Sequence, residues 1–304
     1  MNSLLRASAR FMTGSHHISF FKAQGMGNDF LIVNSDDVSA LPSSSELARE
    51  MCDRNYGAGA DGLIFVASAR QKDADFASRI FNADGSEAGV SGNGTRCLAA
   101  YLYHAGLWSD PGIRIATAAG VKRGRLISSD NTRFEFEFDM GRPDLSSQSV
   151  PMAISPSAEP VVRYPLTIGE EVFEVTCLSM GNPQCVTFVA NLNSVDLARI
   201  GPLIETHPIF PDRANVEFAR VISRDEIEIR IWERGAGRTL SSGTGSCASA
   251  VAAALNDLTD RKVRVRTEGG ALQVDWRGDE RVMLTASAEV VYEGRWLRKN
   301  SALL

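Results

Sequence analysis

Two segments of the chain join a small hydroxyl residue to a glycine turn and an alanine-rich run. The first reads Ser91-Gly-Asn-Gly-Thr-Arg-Cys-Leu-Ala-Ala and the second Ser242-Gly-Thr-Gly-Ser-Cys-Ala-Ser-Ala. The composition after each turn predicts helices over roughly 94–104 and 245–255. A glycine turn that opens a helix leaves backbone N–H groups unpaired, and the helix dipole adds partial positive charge there. That combination holds an anion. Neither loop continues as GK[ST], and neither has the strand and helix spacing of a dinucleotide fingerprint. One such turn alone is better read as close helix packing. A matched pair 151 residues apart (91 to 242) reads as a duplicated half, with two anion sites that can meet around one small ligand at an inter-domain cleft.

Glu233 is the next candidate. It shares parity with Ile227, Ile229 and Ile231 on an alternating strand, so a strand that continues would turn its carboxylate toward the apolar side. Burial there would raise its pKa. If the strand ends at Trp232, Glu233 is solvated. Arg234 beside it suits a ligand carboxylate. Asn28, Asn82, Asn182 and Asn215 recur in turn contexts, where asparagine is common. Together with paired anion loops they read as a polar lining for an amino acid.

These groups must be positioned by short elements. Alternation marks strands at Phe134–Phe138 and Glu226–Ile231. Further strands are expected at Ile18–Lys22, Phe30–Val33, Leu63–Ala67, Ile113–Ala116, Phe173–Leu178, Val263–Arg266 and Leu272–Trp276, and a capped helix at Ser44–Cys52. The 304 residues suit two domains. Residues 1–15 contain two arginines and no acid, and are expected to be a flexible extension, read against a weak likeness to a transit peptide. The Pro- and Ser-rich stretch 141–160 places a boundary after Asp139.

Composition excludes other classes. A net charge of −5 argues against a nucleic-acid binder, and no run is apolar enough to span a membrane. Five scattered cysteines without a CxxC argue against disulfides and structural zinc, and fit a reducing cytoplasm. Four histidines without ligand-like spacing give no metal site.

The stretches FFKAQGMGNDF, GAGADGL, FNADGSEAGVSGNGTRC, SMGNPQCV, HPIFPDRANVEF and WERGAGRTLSSGTGSCASA together resemble the diaminopimelate epimerase family, from about residue 19 onward. The resemblance implies an α/β (α+β) fold of two pseudo-symmetric domains, each a curved, mainly antiparallel sheet around a central helix. The domains would be 16–139, with a returning segment at about 288–304, and 140–287. It implies cofactor-independent epimerisation of LL-2,6-diaminopimelate to the meso isomer, an amino-acid substrate as the partner, and often a homodimer. Asn28, Asn82, Asn182, Asn215, Glu233 and Arg234 would bind substrate. The Gly92-Asn93 and Gly243-Thr244 N–H groups would hold the carboxylate on the reacting carbon.

The sequence departs from the family at its acid–base positions. Where the family has two catalytic cysteines, this chain has Ser91 and Ser242, and where a histidine assists the first, it has Gln184. A thiol with a pKa near 8.5 ionises after a modest push, whereas a serine needs an adjacent base. Glu233 is the candidate base for Ser242. Two alternatives follow: a one-base proton shift through Glu233 on another small acid, or a binder that has lost catalysis.

Overall fold

The computed structural model describes residues 17–38, 43–89, 91–154 and 159–297. The expected N-terminal extension lies outside them. The chain divides into two compact units, Met1–Glu137 with Ser287–Leu304, and Phe138–Ala286.

The first unit contains β1 (His17–Gly25), β2 (Asn28–Asn34), α1 (Ser44–Cys52), β3 (Gly62–Ser68), β4 (Phe76–Asn82), β5 (Glu87–Ala88), α2 (Gly92–His104), β6 (Gly112–Thr117), β7 (Gly120–Asp130) and most of β8 (Arg133–Asp139). The second contains β9 (Val161–Ile168), β10 (Glu171–Ser179), β11 (Pro183–Phe188), α3 (Leu197–Glu205), β12 (Asn215–Ser223), β13 (Glu226–Glu233), β14 (Gly237–Thr239), α4 (Gly243–Leu255), β15 (Lys262–Thr267) and β16 (Gly270–Trp276). The long strand β17 (Val282–Leu297) begins in the second unit and ends in the first, where it pairs with β1 from His17↔Leu297 to Gln24↔Glu289.

Both units repeat one plan. An antiparallel pair (β1/β2, β10/β11) leads to a parallel neighbour (β3, β12), then an antiparallel strand (β4, β13) with a short hairpin partner (β5, β14). The helix follows, and the next strand (β6, β15) lies parallel to β4 or β13. The hairpin registers keep the 151-residue offset: Ile80↔Ala88 corresponds to Ile231↔Thr239, and Phe81↔Glu87 to Trp232↔Arg238. Asn82 and Glu233 are therefore equivalent positions. The same registers make Ile64 equivalent to Glu217, and Phe30 to Gln184.

Each sheet is covered on both faces. Helix α2 packs on β1, β2 and β3, and α4 packs on β10, β11, β12, β13, β15 and β16. In the first unit, Leu31, Val33, Leu63 and Phe65 face the other way, into a core with Leu47 and Met51 of α1. In the second, Val216 and Phe218 join Ile200 and Ile204 of α3. Two-sided burial explains the nearly unbroken apolar runs of β2 and β3. The α+β class and the sheet around a helix in each half match the expected fold.

Both glycine-loop helices start two residues earlier than expected. Ser91 and Ser242 are their N-caps, each in an extended conformation with its hydroxyl accepting a backbone N–H from the third helical residue. Helix α3 was not expected because Gly201 and Pro202 interrupt it. The glycine is there for packing: a Cβ would lie 2.7 Å from the Trp232 ring.

Candidate functional site

The site residues fall into two half-sites, one in each unit. In the first, Ser91 Oγ accepts from the Gly94 N–H at 3.0 Å. Thr95 Oγ1 donates back to the Ser91 carbonyl at 2.8 Å, so the turn is braced from both sides. Gly92 is exposed, and a Cβ there would meet only Arg96 Nη1 at 3.9 Å. Asn93 is buried, with Oδ1 accepting from the Arg96 guanidinium and Nδ2 donating to Asn28 Oδ1 at 3.4 Å. Asn28 in turn donates to Asp61 Oδ2 at 2.7 Å. The structure thus ties Asn28 and Asn93 together beside the start of α2. Asn82 lies on the exposed rim, donating to Ser86 Oγ at 2.9 Å.

An ionic brace holds Asn28 in place. Asp29 pairs with Lys22 at 2.7 Å and Arg54 at 2.8 Å, and accepts from the Asp61 N–H. Burial works to raise the Asp29 pKa, but Arg54 and Lys22 outweigh it and hold the carboxyl down at about 2. A depressed carboxylate stabilises the folded state above its unfolded pKa and loses that contribution as pH falls through the folded value. Asp29→Asn is therefore expected to lose about 2 kcal/mol at neutral pH by urea denaturation. The gap to the parent protein should close as pH falls from about 4 toward 2.

In the second half-site, Ser242 Oγ accepts from the Gly245 N–H at 3.3 Å and lies 3.5 Å from Thr244 Oγ1. Asn182 Nδ2 donates to Thr244 Oγ1 at 3.5 Å, and Asn182 Oδ1 accepts from Gln184 Nε2 at 2.7 Å. Gln184 is fully buried and serves as the backing for Asn182. Asn215 bridges two turns: it donates to the Pro183 carbonyl at 3.1 Å and accepts from the Arg234 N–H at 2.8 Å. The Arg234 guanidinium donates to the Asp212 carbonyl at 2.8 Å.

The strand does continue through Glu233, which is half-buried and accepts from Thr239 Oγ1 at 2.7 Å. Burial raises its pKa and the Thr239 hydrogen bond partly offsets the rise. Because the equivalent position in the first unit is Asn82, only the second half-site has a carboxyl here.

The sequence reading missed Glu217 of β12. It is fully buried, and neither oxygen has a hydrogen-bond partner among the described residues. Burial and then the charge of Glu233 push its pKa well above the usual carboxylate range. A Cβ on Gly245 would lie 2.6 Å from Glu217 Oε1. Gly245→Ala is therefore expected to displace the Glu217 carboxyl or the cap and to cost about 1–3 kcal/mol in thermal or urea unfolding. Gly92→Ala, with open space around it, should stay within about 0.5 kcal/mol of the parent protein.

All five thiols are free and buried. Cys97 is buried in α2 and its thiol is pushed up to about 12. Cys185 is held high by its hydrogen bond to Cys177 and by burial in the α3-side core. Cys247 is likewise buried within α4. The thiols of Cys97 and Cys185, held this way, stay protonated at neutral pH and do not act as bases.

Comparison with known proteins extends the motif resemblance to most of the chain. The diaminopimelate epimerase family model matches residues 20–146 and 176–291. The chain is 43% identical over 281 residues to the diaminopimelate epimerase of Cyanothece sp., covering 91% of this chain and 99% of that protein. It is 45% identical over 282 residues to the diaminopimelate epimerase of Microcystis aeruginosa, covering 91% and 98%. Among solved structures it resembles a hydroxyproline epimerase from Agrobacterium vitis, with a TM-score of 0.63 and 14% identity, over 94% of this chain and 92% of that one. At that identity the likeness speaks to fold alone.

Proposed function

The chain belongs to the diaminopimelate epimerase family, and from that premise we propose that it is an isomerase converting LL-2,6-diaminopimelate to the meso isomer without a cofactor. The observation that carries this reading is the pair of matched helix starts, each with an N-cap hydroxyl at its mouth. The N–H groups of Gly92-Asn93 and Gly243-Thr244 are assigned to the carboxylate on the reacting carbon. A negative charge that spreads onto that carboxylate as the α-proton leaves is stabilised by such donors. Asn28, Asn82, Asn182, Asn215 and Arg234 are assigned to hold the rest of the amino acid.

Serine is a weak base, so the site must help it. Each hydroxyl accepts an N–H at a helix N-terminus, where the dipole favours negative charge on Oγ. Glu233, with its raised pKa, is the base assigned to Ser242. One serine oxygen takes the α-proton, and the other returns a proton to the opposite face of that carbon. The C–H bond broken is replaced by one of inverted configuration, with no change in oxidation state.

Incubation with LL-diaminopimelate in D₂O tests this reading. The expected products are meso-diaminopimelate and deuterium at the α-carbon. Prolonged incubation at high protein concentration without exchange would remove it. Deuterium on a neighbouring carbon of another small acid would point to a one-base shift instead. The five free thiols fit a cytoplasmic location. A homodimer, as family members often form, is the species expected in sedimentation.

A further inference from the structure

Glu217 is a costly residue with no structural need behind it. Burying a carboxyl without a hydrogen-bond partner is unfavourable, and a neutral acid buried this way still forgoes its hydrogen bonds to water. The fold does not require it, because the equivalent position of the first unit holds Ile64, fully buried in the same register. The acid therefore distinguishes the second half-site from the first.

Its surroundings say what it can do. Glu217 pairs with Ile231 across β12 and β13, so Glu233, two residues further along, is its diagonal neighbour on the same sheet face. On its other side is the start of α4. Glu217 Oε1 and Ser242 Cβ lie 2.6 and 3.3 Å from the same point, the position of a Cβ on Gly245, and so within about 6 Å of each other. Glu217 thus neighbours both the Ser242 cap and the carboxyl base already assigned to it. Both of its oxygens are free of other partners.

We propose that Glu217 is the proton conduit between Ser242 and Glu233. It touches no substrate and acts through Ser242, as a positioning residue for the reaction assigned above, on which this inference rests. A neutral carboxylic acid can accept a proton on one oxygen while releasing one from the other. When Ser242 Oγ takes the α-proton, the substrate C–H bond breaks and a new serine O–H bond forms. The hydroxyl proton that Ser242 held passes to one Glu217 oxygen, and the proton on the other passes to the Glu233 carboxylate. Glu217 is neutral before and after, Glu233 ends protonated, and no electrons are gained or lost. Reversal of every step returns a proton to carbon. Such contacts are commonly long in a ligand-free site and close to hydrogen-bond distance in the substrate complex.

Glu217→Gln and Glu217→Ile test the proposal, since neither side chain relays a proton in this way and isoleucine is the residue the first unit uses. Both variants are expected to unfold at the same temperature as the parent or higher, to keep KM within about threefold, and to lose about 10²-fold in kcat. Deuterium exchange at the α-carbon should fall in step. Parental kcat in either folded variant overturns the proposal. So does a kcat loss that appears only together with a lowered unfolding temperature and a raised KM, which is the signature of packing damage. If the parent protein itself neither epimerises nor exchanges, the epimerase reading falls and takes this inference with it. An active parent with equally active variants removes the conduit alone.

Discussion

Replacing Ser91 and Ser242 together by cysteine is expected to raise kcat by about 10²-fold, while lowering stability. The chemical half follows from acidity. Each side chain sits at a helix N-terminus with a backbone N–H aimed at it, and such a site lowers a thiol pKa from about 8.5 toward neutrality. A thiolate needs no second base, whereas the serine depends on one. The structural half follows from capping. Serine is among the best N-cap residues, and losing each cap costs about 1 kcal/mol. The double variant should therefore be faster and about 2 kcal/mol less stable, two outcomes read by α-proton exchange and urea denaturation. An unchanged rate would show that the hydroxyls at 91 and 242 are not the groups that move the proton.

Glu233→Gln is expected to reduce kcat by about 10³-fold with little change in fold. Glutamine keeps an oxygen to accept from Thr239, so the hairpin contact at 2.7 Å survives. It removes the only carboxyl at this position in either unit, since the first unit has Asn82 there. The pH dependence of stability separates loss of the base from damage. Glu233 has a raised folded pKa, so folding favours its neutral form more than the unfolded chain does. Its contribution to stability is present below the unfolded value of 4.5 and is lost as pH rises through the folded one. The glutamine variant should match the parent in acid and become the more stable of the two above that window. A variant less stable at every pH, with activity lost in proportion, would contradict the assignment.

Much of this was legible in the sequence because local chemistry announces it. The alternation of Phe134, Phe136 and Phe138 marks β8, and all three are buried. The Ser-Gly-x-Gly turns mark the starts of α2 and α4 because glycine and a capping hydroxyl have few other reasons to stand together there. Glu217 was not legible. Asn215 reads only as a turn asparagine, and alternation in Asn215-Val-Glu-Phe218 singles out Val216 and Phe218 alone as apolar. Those two do lie in the core against α3. The polar side is covered by α4, whose small residues at Gly245, Ser246 and Ser249 give no sign of a second buried face. Alternation reports which face is apolar, and it is silent on whether the other face meets solvent. Helix α3 was hidden for the opposite reason: Gly201 and Pro202 look like breakers, yet contact with Trp232 demands the glycine.

The pairing of β1 with β17 has a consequence for how the protein is made. On a ribosome, β1 emerges long before its partner from Glu289 to Leu297. At typical synthesis rates the nascent chain carries one edge of β1, with Ile18 and Phe20, unpaired for roughly a quarter of a minute to a minute. The early hairpin with β2 protects the other edge. The Phe138–Ala286 unit is continuous in sequence and is complete before β17 has finished its run along β1. The half encoded second is therefore the half that finishes folding first, and the open edge of β1 is the surface a chaperone would have to cover in the interval.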